Sequence, residues 1–116
     1  MVEDNVLVLD AIRVLLDSAG YRVLTASTVA ETLEQCASTP VDVMLLDLSL
    51  PDGSGLDALA SLRVAGSLPR VTVALTGHDD ADLARRGREA GCRDVLLKPV
   101  PARDLIARVA EWYASA

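Results

Sequence analysis

Val41-Asp42-Val43-Met44-Leu45-Leu46-Asp47 is a short, nearly continuous apolar run that ends on a carboxylate. An apolar stretch of this length without strict alternation is what a strand covered on both faces requires. Val71-Thr72-Val73-Ala74-Leu75 and Asp94-Val95-Leu96-Leu97 have the same character, and Tyr21-Arg22-Val23-Leu24-Thr25 is a weaker strand candidate near an edge. Helical periods lie between them. Val8, Ile12, Leu15 and Ala19 share one face and stop at Gly20, a natural C-terminal cap. Thr28 and Glu31 have the spacing of a capping box, opening a helix expected to bury Ala30, Leu33 and Ala37. Leu56, Leu59, Ala60 and Leu62 mark a third helix after the Asp52-Gly53-Ser54-Gly55 turn. Residues 79–90 form a polar fourth helix closed by Gly91, and Leu105, Ile106, Val109, Trp112 and Tyr113 give the last helix its inward stripe. One strand–helix unit recurs about every 23 residues, the rhythm of an open parallel sheet with helices on both faces.

The composition supports one folded unit over residues 1–116. Half of the residues (51%) are apolar and the mean hydropathy is +0.31, which excludes a disordered chain. No apolar run approaches the ~18 residues of a membrane span, and no secretory leader pattern is present. A net charge of −6 and a pI near 4.6 argue against direct nucleic-acid binding. Cys36 and Cys92 lack metal-ligand spacing and read as reduced packing residues of a cytoplasmic protein. Ten of the eleven basic residues are arginine, and the only lysine is Lys98.

In a doubly wound sheet, ligands sit beyond the carboxyl ends of the strands. Those ends carry Glu3 and Asp4, then Asp47, then Thr76, then Lys98. No glycine-rich phosphate cradle follows any strand, so neither a P-loop nor a dinucleotide site is supported. Three converging carboxylates repel one another, and a hard divalent cation is the simplest remedy. Mg²⁺ prefers oxygen ligands and accepts a site with few protein groups. Asp47 can then act as a nucleophile towards phosphorus, while the ion, Lys98 and the Thr76 hydroxyl spread the charge of the transferring group.

Val2-Glu3-Asp4-Asn5, Leu45-Leu46-Asp47-Leu48-Ser49-Leu50-Pro51-Asp52-Gly53, Ala74-Leu75-Thr76-Gly77 and Leu97-Lys98-Pro99 occur in this order across essentially the whole chain. Together they resemble the receiver domain of response regulators in bacterial two-component signalling. The resemblance implies a flavodoxin-like (βα)5 fold, a doubly wound parallel sheet with strand order 2-1-3-4-5. It implies that Glu3 and Asp4 hold Mg²⁺ together with Asp47 and the backbone carbonyl of Ser49. Asp47 would take a phosphoryl group from a phosphohistidine on a histidine kinase or a histidine phosphotransfer domain. Thr76 and the Gly77 N–H would bind its oxygens, Lys98 would pair with it, and the Lys98-Pro99 bond would be cis. Ser49 and His78 occupy positions at which the family tunes phosphoryl lifetime. The fourth and fifth helices are the candidate homodimer surface, and several short stretches resemble receivers attached to hybrid sensor kinases.

Two features depart from that pattern. Only Met1 and Val2 precede Glu3, so the first strand is expected to be short or trimmed. Val95 stands at the switch position where many receivers carry an aromatic residue. Competing functions find less support. A calcium loop at residues 47–53 is broken by Leu48, Leu50 and Pro51. An aspartate-nucleophile phosphatase would need a second aspartate where Ser49 stands, and a pseudo-receiver would not need all five site residues.

Overall fold

The computed structural model describes residues 1–2, 6–50, 53–77, 81–98 and 100–115. In chain order it contains α1 (Val6–Ser18), α2 (Val29–Ser38), β1 (Val43–Asp47), β2 (Ser49–Leu50), β3 (Gly53–Ser54), α3 (Gly55–Ala65), β4 (Val71–Thr76), α4 (Ala81–Glu89), β5 (Asp94–Leu97) and α5 (Ala102–Ser115). β1, β4 and β5 form a parallel sheet in the order β1-β4-β5, with Val43 opposite Val71 and Ala74 opposite Val95. On the other side of β1, Val2 makes parallel bridges to both Leu46 and Ala26. These bridges place the segment near Ala26 outermost and Val2 between it and β1, in line with the expected 2-1-3-4-5 order.

The helices cover both faces. On one, Leu16 of α1 and Leu105, Val109 and Trp112 of α5 pack on Leu45, Val71 and Val73. On the other, Leu59 and Leu62 of α3 and Ala84 of α4 pack on Met44, Leu46, Ala74 and Val95. This is why β1 and β4 have no polar alternation: every residue of β4 is buried. Each fully buried Leu or Val side chain contributes ~1.5–3 kcal/mol relative to exposure.

Thr28 caps α2, its Oγ1 accepting from the Glu31 N–H at 3.1 Å. The Glu31 carboxylate accepts in return from the Ser27 N–H at 3.3 Å, one residue before the cap. Ser54 caps α3 in the same way through the Leu56 N–H at 3.1 Å, and Gly66 ends that helix with φ +71°.

Several expected positions move. In α1 the inward residues among the described side chains are Leu9, Ile12 and Leu16, while Leu15 is 39% exposed and Ala19 lies outside; the Val8 side chain is not among those described. Two adjacent leucines satisfy the same period, and only docking onto α5 and the sheet selects between them. In α2 the buried face runs through Thr32, with Leu33 and Cys36 partly buried; Ala30 and Ala37 are exposed. Tyr113 is half exposed, its ring edge-on to Tyr21 with centroids 5.6 Å apart. Residues 21–25 form no strand; the segment is tied to the start of the chain by the Val2–Ala26 bridge, by the Ala26 N–H donating to the Met1 carbonyl at 3.0 Å and by the Met1 amino group donating to the Leu24 carbonyl at 2.7 Å. A cavity of about 450 Å³ opens between that segment and β1, lined by Val2, Leu24, Met44 and Leu45 among others.

Candidate phosphoryl-acceptor site

The register of the sheet brings three chemically distinct ends to one rim. Asp47 is the last residue of β1 and lies opposite Leu75; Thr76 is the last residue of β4 and lies opposite Leu97; Lys98 follows β5 directly. The Lys98 N–H donates to the Thr76 carbonyl at 2.7 Å, and the Leu48 N–H donates to the Leu75 carbonyl at 3.0 Å. The rim is thus held by backbone bonds.

The Asp47 side chain is 3% exposed, although carboxylates are rarely buried without partners. It has two. Its Oδ1 accepts from the Ser49 N–H at 2.9 Å, and its Oδ2 accepts from Lys98 Nζ at 2.7 Å. Lys98 remains one-third exposed, so its ammonium reaches the carboxylate from the solvent side. The compact lysine head suits this approach better than a planar guanidinium would.

Thr76 is 2% exposed, and its Oγ1 has no hydrogen-bond partner among the described residues. A buried hydroxyl left unpaired costs about 1–3 kcal/mol. Such a group at a rim that also carries a paired carboxylate and an ammonium fits an incoming tetrahedral anion. Gly77 follows it and is exposed.

Gly55 shapes the loop after Asp47 and Gly87 the helix that packs on it, and the sequence alone singles out neither as a site residue. A Cβ on Gly55 would stand 2.6 Å from the Asp47 carbonyl oxygen and 2.9 Å from Leu48 Cα. Only glycine lets α3 begin this close to the acceptor strand. Its N–H donates to the Leu48 carbonyl at 2.9 Å, and the antiparallel β2–β3 pair sets Ser49 opposite Ser54 and Leu50 opposite Gly53 beside it. Gly87, inside α4, is also buried, and a glycine within a helical pattern was the available signal.

Glu3, Asp4 and His78 lie outside the described residues, as does Pro99 with its expected cis bond. Among the described residues no group of three or more His, Cys, Asp or Glu side chains gathers. The described donors, the Asp47 carboxylate and the Ser49 backbone carbonyl, are hard oxygens on one short loop, and that chemistry fits Mg²⁺. Val95 is buried opposite Ala74, an aliphatic residue at the expected switch position. Cys36 and Cys92 are both free; burial pushes the Cys92 thiol up to about 11. Among the described residues no helix is long and apolar enough to cross a membrane.

Comparison with known proteins agrees with this geometry. The family described as the response regulator receiver domain matches residues 1–110. The transcriptional regulatory protein KdpE of Mycobacterium tuberculosis is 38% identical over 109 residues, covering 94% of this chain and 47% of that protein. The swarming motility regulation protein RssB of Serratia marcescens is 34% identical over 109 residues, covering 94% of this chain and 49% of that protein. The chain spans about half the length of these curated relatives. A receiver domain from Clostridium thermocellum superposes with a TM-score of 0.86 at 31% identity, covering 98% of this chain and 91% of its own. KdpE is by name a transcriptional regulator, so the expectation of no direct nucleic-acid binding finds no support among these relatives.

Proposed function

The chain belongs to the response regulator receiver domain family, and we propose that Asp47 is its phosphoacceptor within one phosphoacceptor domain over residues 1–116. Receiver domains of two-component response regulators accept phosphoryl groups on an aspartate and switch an output; they are signalling modules, not classical enzymes. The observation that carries the reading is a nearly fully buried carboxylate in an ion pair with the lone lysine, at a rim that also carries a buried threonine hydroxyl with no partner among the described residues.

An Asp47 carboxylate oxygen attacks the phosphorus of a phosphohistidine supplied by a histidine kinase or a histidine phosphotransfer domain. The new O–P bond forms as the N–P bond breaks, and the electron pair leaves on the imidazole nitrogen. Thr76 Oγ1 and the Gly77 N–H donate to phosphoryl oxygens, and the Lys98 ammonium turns from the carboxylate towards the same charge. Glu3, Asp4, Asp47 and the Ser49 carbonyl would hold Mg²⁺. When bound, the ion neutralises the crowded carboxylates and the phosphoryl oxygens. Ser49 and His78 would modulate the lifetime of the acyl phosphate. The domain catalyses only its own phosphorylation and dephosphorylation. It works in the cytoplasm of a bacterium, and α4 and α5 supply the surface for a homodimer.

The test is incubation with Mg²⁺ and acetyl phosphate. An acid-stable, alkali-labile adduct with the mass of one phosphoryl group should appear and should be absent from Asp47→Asn. Labelling that persists in the variant on the same peptide would overturn the assignment.

A further inference from the structure

Gly87 lies on the buried side of α4, where a Cβ would stand 3.2 Å from Leu48 Cδ1, 3.6 Å from Val95 Cγ2 and 3.7 Å from Ala74 Cβ. The helix backbone therefore rests directly on Leu48, and Leu48 is the residue next to Asp47. Leu48 is 1% exposed, and its backbone is held on both sides. Its N–H donates to Leu75, and its carbonyl accepts from the Gly55 N–H at 2.9 Å. Both neighbours of Leu48 are tied to the acceptor carboxylate: Asp47 carries it, and Ser49 donates its N–H to Oδ1.

We propose that Leu48 is a positioning residue that carries the state of Asp47 to α4 through its seat on Gly87. This rests on Asp47 being the phosphoacceptor. The physical reason is the hydrogen-bond inventory of the carboxylate. Oδ1 holds the Ser49 N–H and Oδ2 holds Lys98 Nζ. Whichever oxygen takes the phosphoryl group becomes the bridging oxygen of an acyl phosphate and weakens as an acceptor, so one of these bonds is remade. The backbone on either side of Leu48 then shifts, and a fully buried leucine pressed against a helix without an intervening side chain transmits that shift. Val95 and Ala74 lie under the same stretch of α4, and Thr76 points to the same face of β4 two residues beyond Ala74. The aliphatic switch position is thus one wall of the seat.

The test compares wild type, Leu48→Val, Gly87→Ala and the double variant. Each is checked for the acetyl phosphate adduct and for amide chemical-shift changes over α4 on adding Mg²⁺ and beryllofluoride. Alanine is a better helix former than glycine, so Gly87→Ala retains α4. All four proteins should form the adduct, because none of the substitutions removes a group that touches the phosphoryl oxygens. In wild type the changes should extend over residues 81–89. Leu48→Val withdraws the contacting methyl and should reduce the α4 changes by more than about half. Gly87→Ala should displace the α4 resonances before any phosphoryl mimic is added. The double variant places the alanine methyl where the leucine methyl was removed and should regain the wild-type response. A uniform loss of packing would not be rescued in this way. Equal α4 changes in wild type and Leu48→Val, with adduct formed in both, would overturn the proposal. Absence of the adduct from wild type would instead overturn the phosphoacceptor reading and this proposal with it.

Discussion

Two threonines in β4, Thr72 and Thr76, are buried with no partner for their hydroxyls among the described residues. They are 4% and 2% exposed. Replacing either by valine exchanges the hydroxyl for a methyl of similar size in a β-branched frame that keeps its strand preference. An unpaired buried hydroxyl costs about 1–3 kcal/mol. The methyl loses no hydrogen bond here, so each variant should be stabilised by ~1 kcal/mol, against the usual sign for a core substitution. That corresponds to a rise of roughly 4 °C in Tm for a domain of this size. It also corresponds to an increase of ~0.5 M in the urea midpoint at unchanged m. Urea unfolding followed by far-ultraviolet circular dichroism and by Trp112 fluorescence would measure both variants. Only Thr76→Val should also slow adduct formation and shrink the response to beryllofluoride, because only Thr76 stands at the rim. The reasoning is refuted if Thr76→Val is destabilised, which would mean that the hydroxyl is satisfied in the free protein. It is equally refuted if Thr72→Val impairs phosphorylation to the same degree.

Lys98→Ala should destabilise the metal-free domain by about 2 kcal/mol, between the values for exposed and fully buried pairs, by leaving the Asp47 carboxylate without its ammonium. Added Mg²⁺ should recover most of that loss in a thermal melt; no recovery would argue against a cation site beside Asp47. Burial raises the Cys92 thiol to about 11, so at pH 8 it is protonated and unreactive. A chromogenic disulfide reagent should therefore label the partly exposed Cys36 first, and Cys92 only at the rate of local opening. Equal rates for the two thiols would show that the layer under α4 is open.

Much of the fold was legible because the burial of strands is written in composition. Residues 41–46, 71–75 and 94–97 are too apolar for a half-exposed strand, and the helical periods between them force parallel crossovers. The chemistry at the strand ends was legible for the same reason: Asp47, Thr76 and Lys98 interrupt or end apolar runs, so their polarity is conspicuous. Sequence could not decide which of two adjacent leucines in α1 turns inward, since Leu15 and Leu16 fit the period equally and packing chooses Leu16. It could not show that residues 21–25 form no strand, because pairing is decided by the neighbouring backbone and not by the segment's own composition. Nor could it assign the glycines. Gly55 and Gly87 look alike in sequence to turn and helix glycines, yet Gly55 is fixed by the Asp47 carbonyl and Gly87 by Leu48. The identity of the reacting groups is a property of residue type and order. Their pairing, the burial of Thr76 Oγ1 at the rim and the contact of Leu48 with α4 depend on distances between segments far apart in the chain, and only the packed tertiary structure sets those distances.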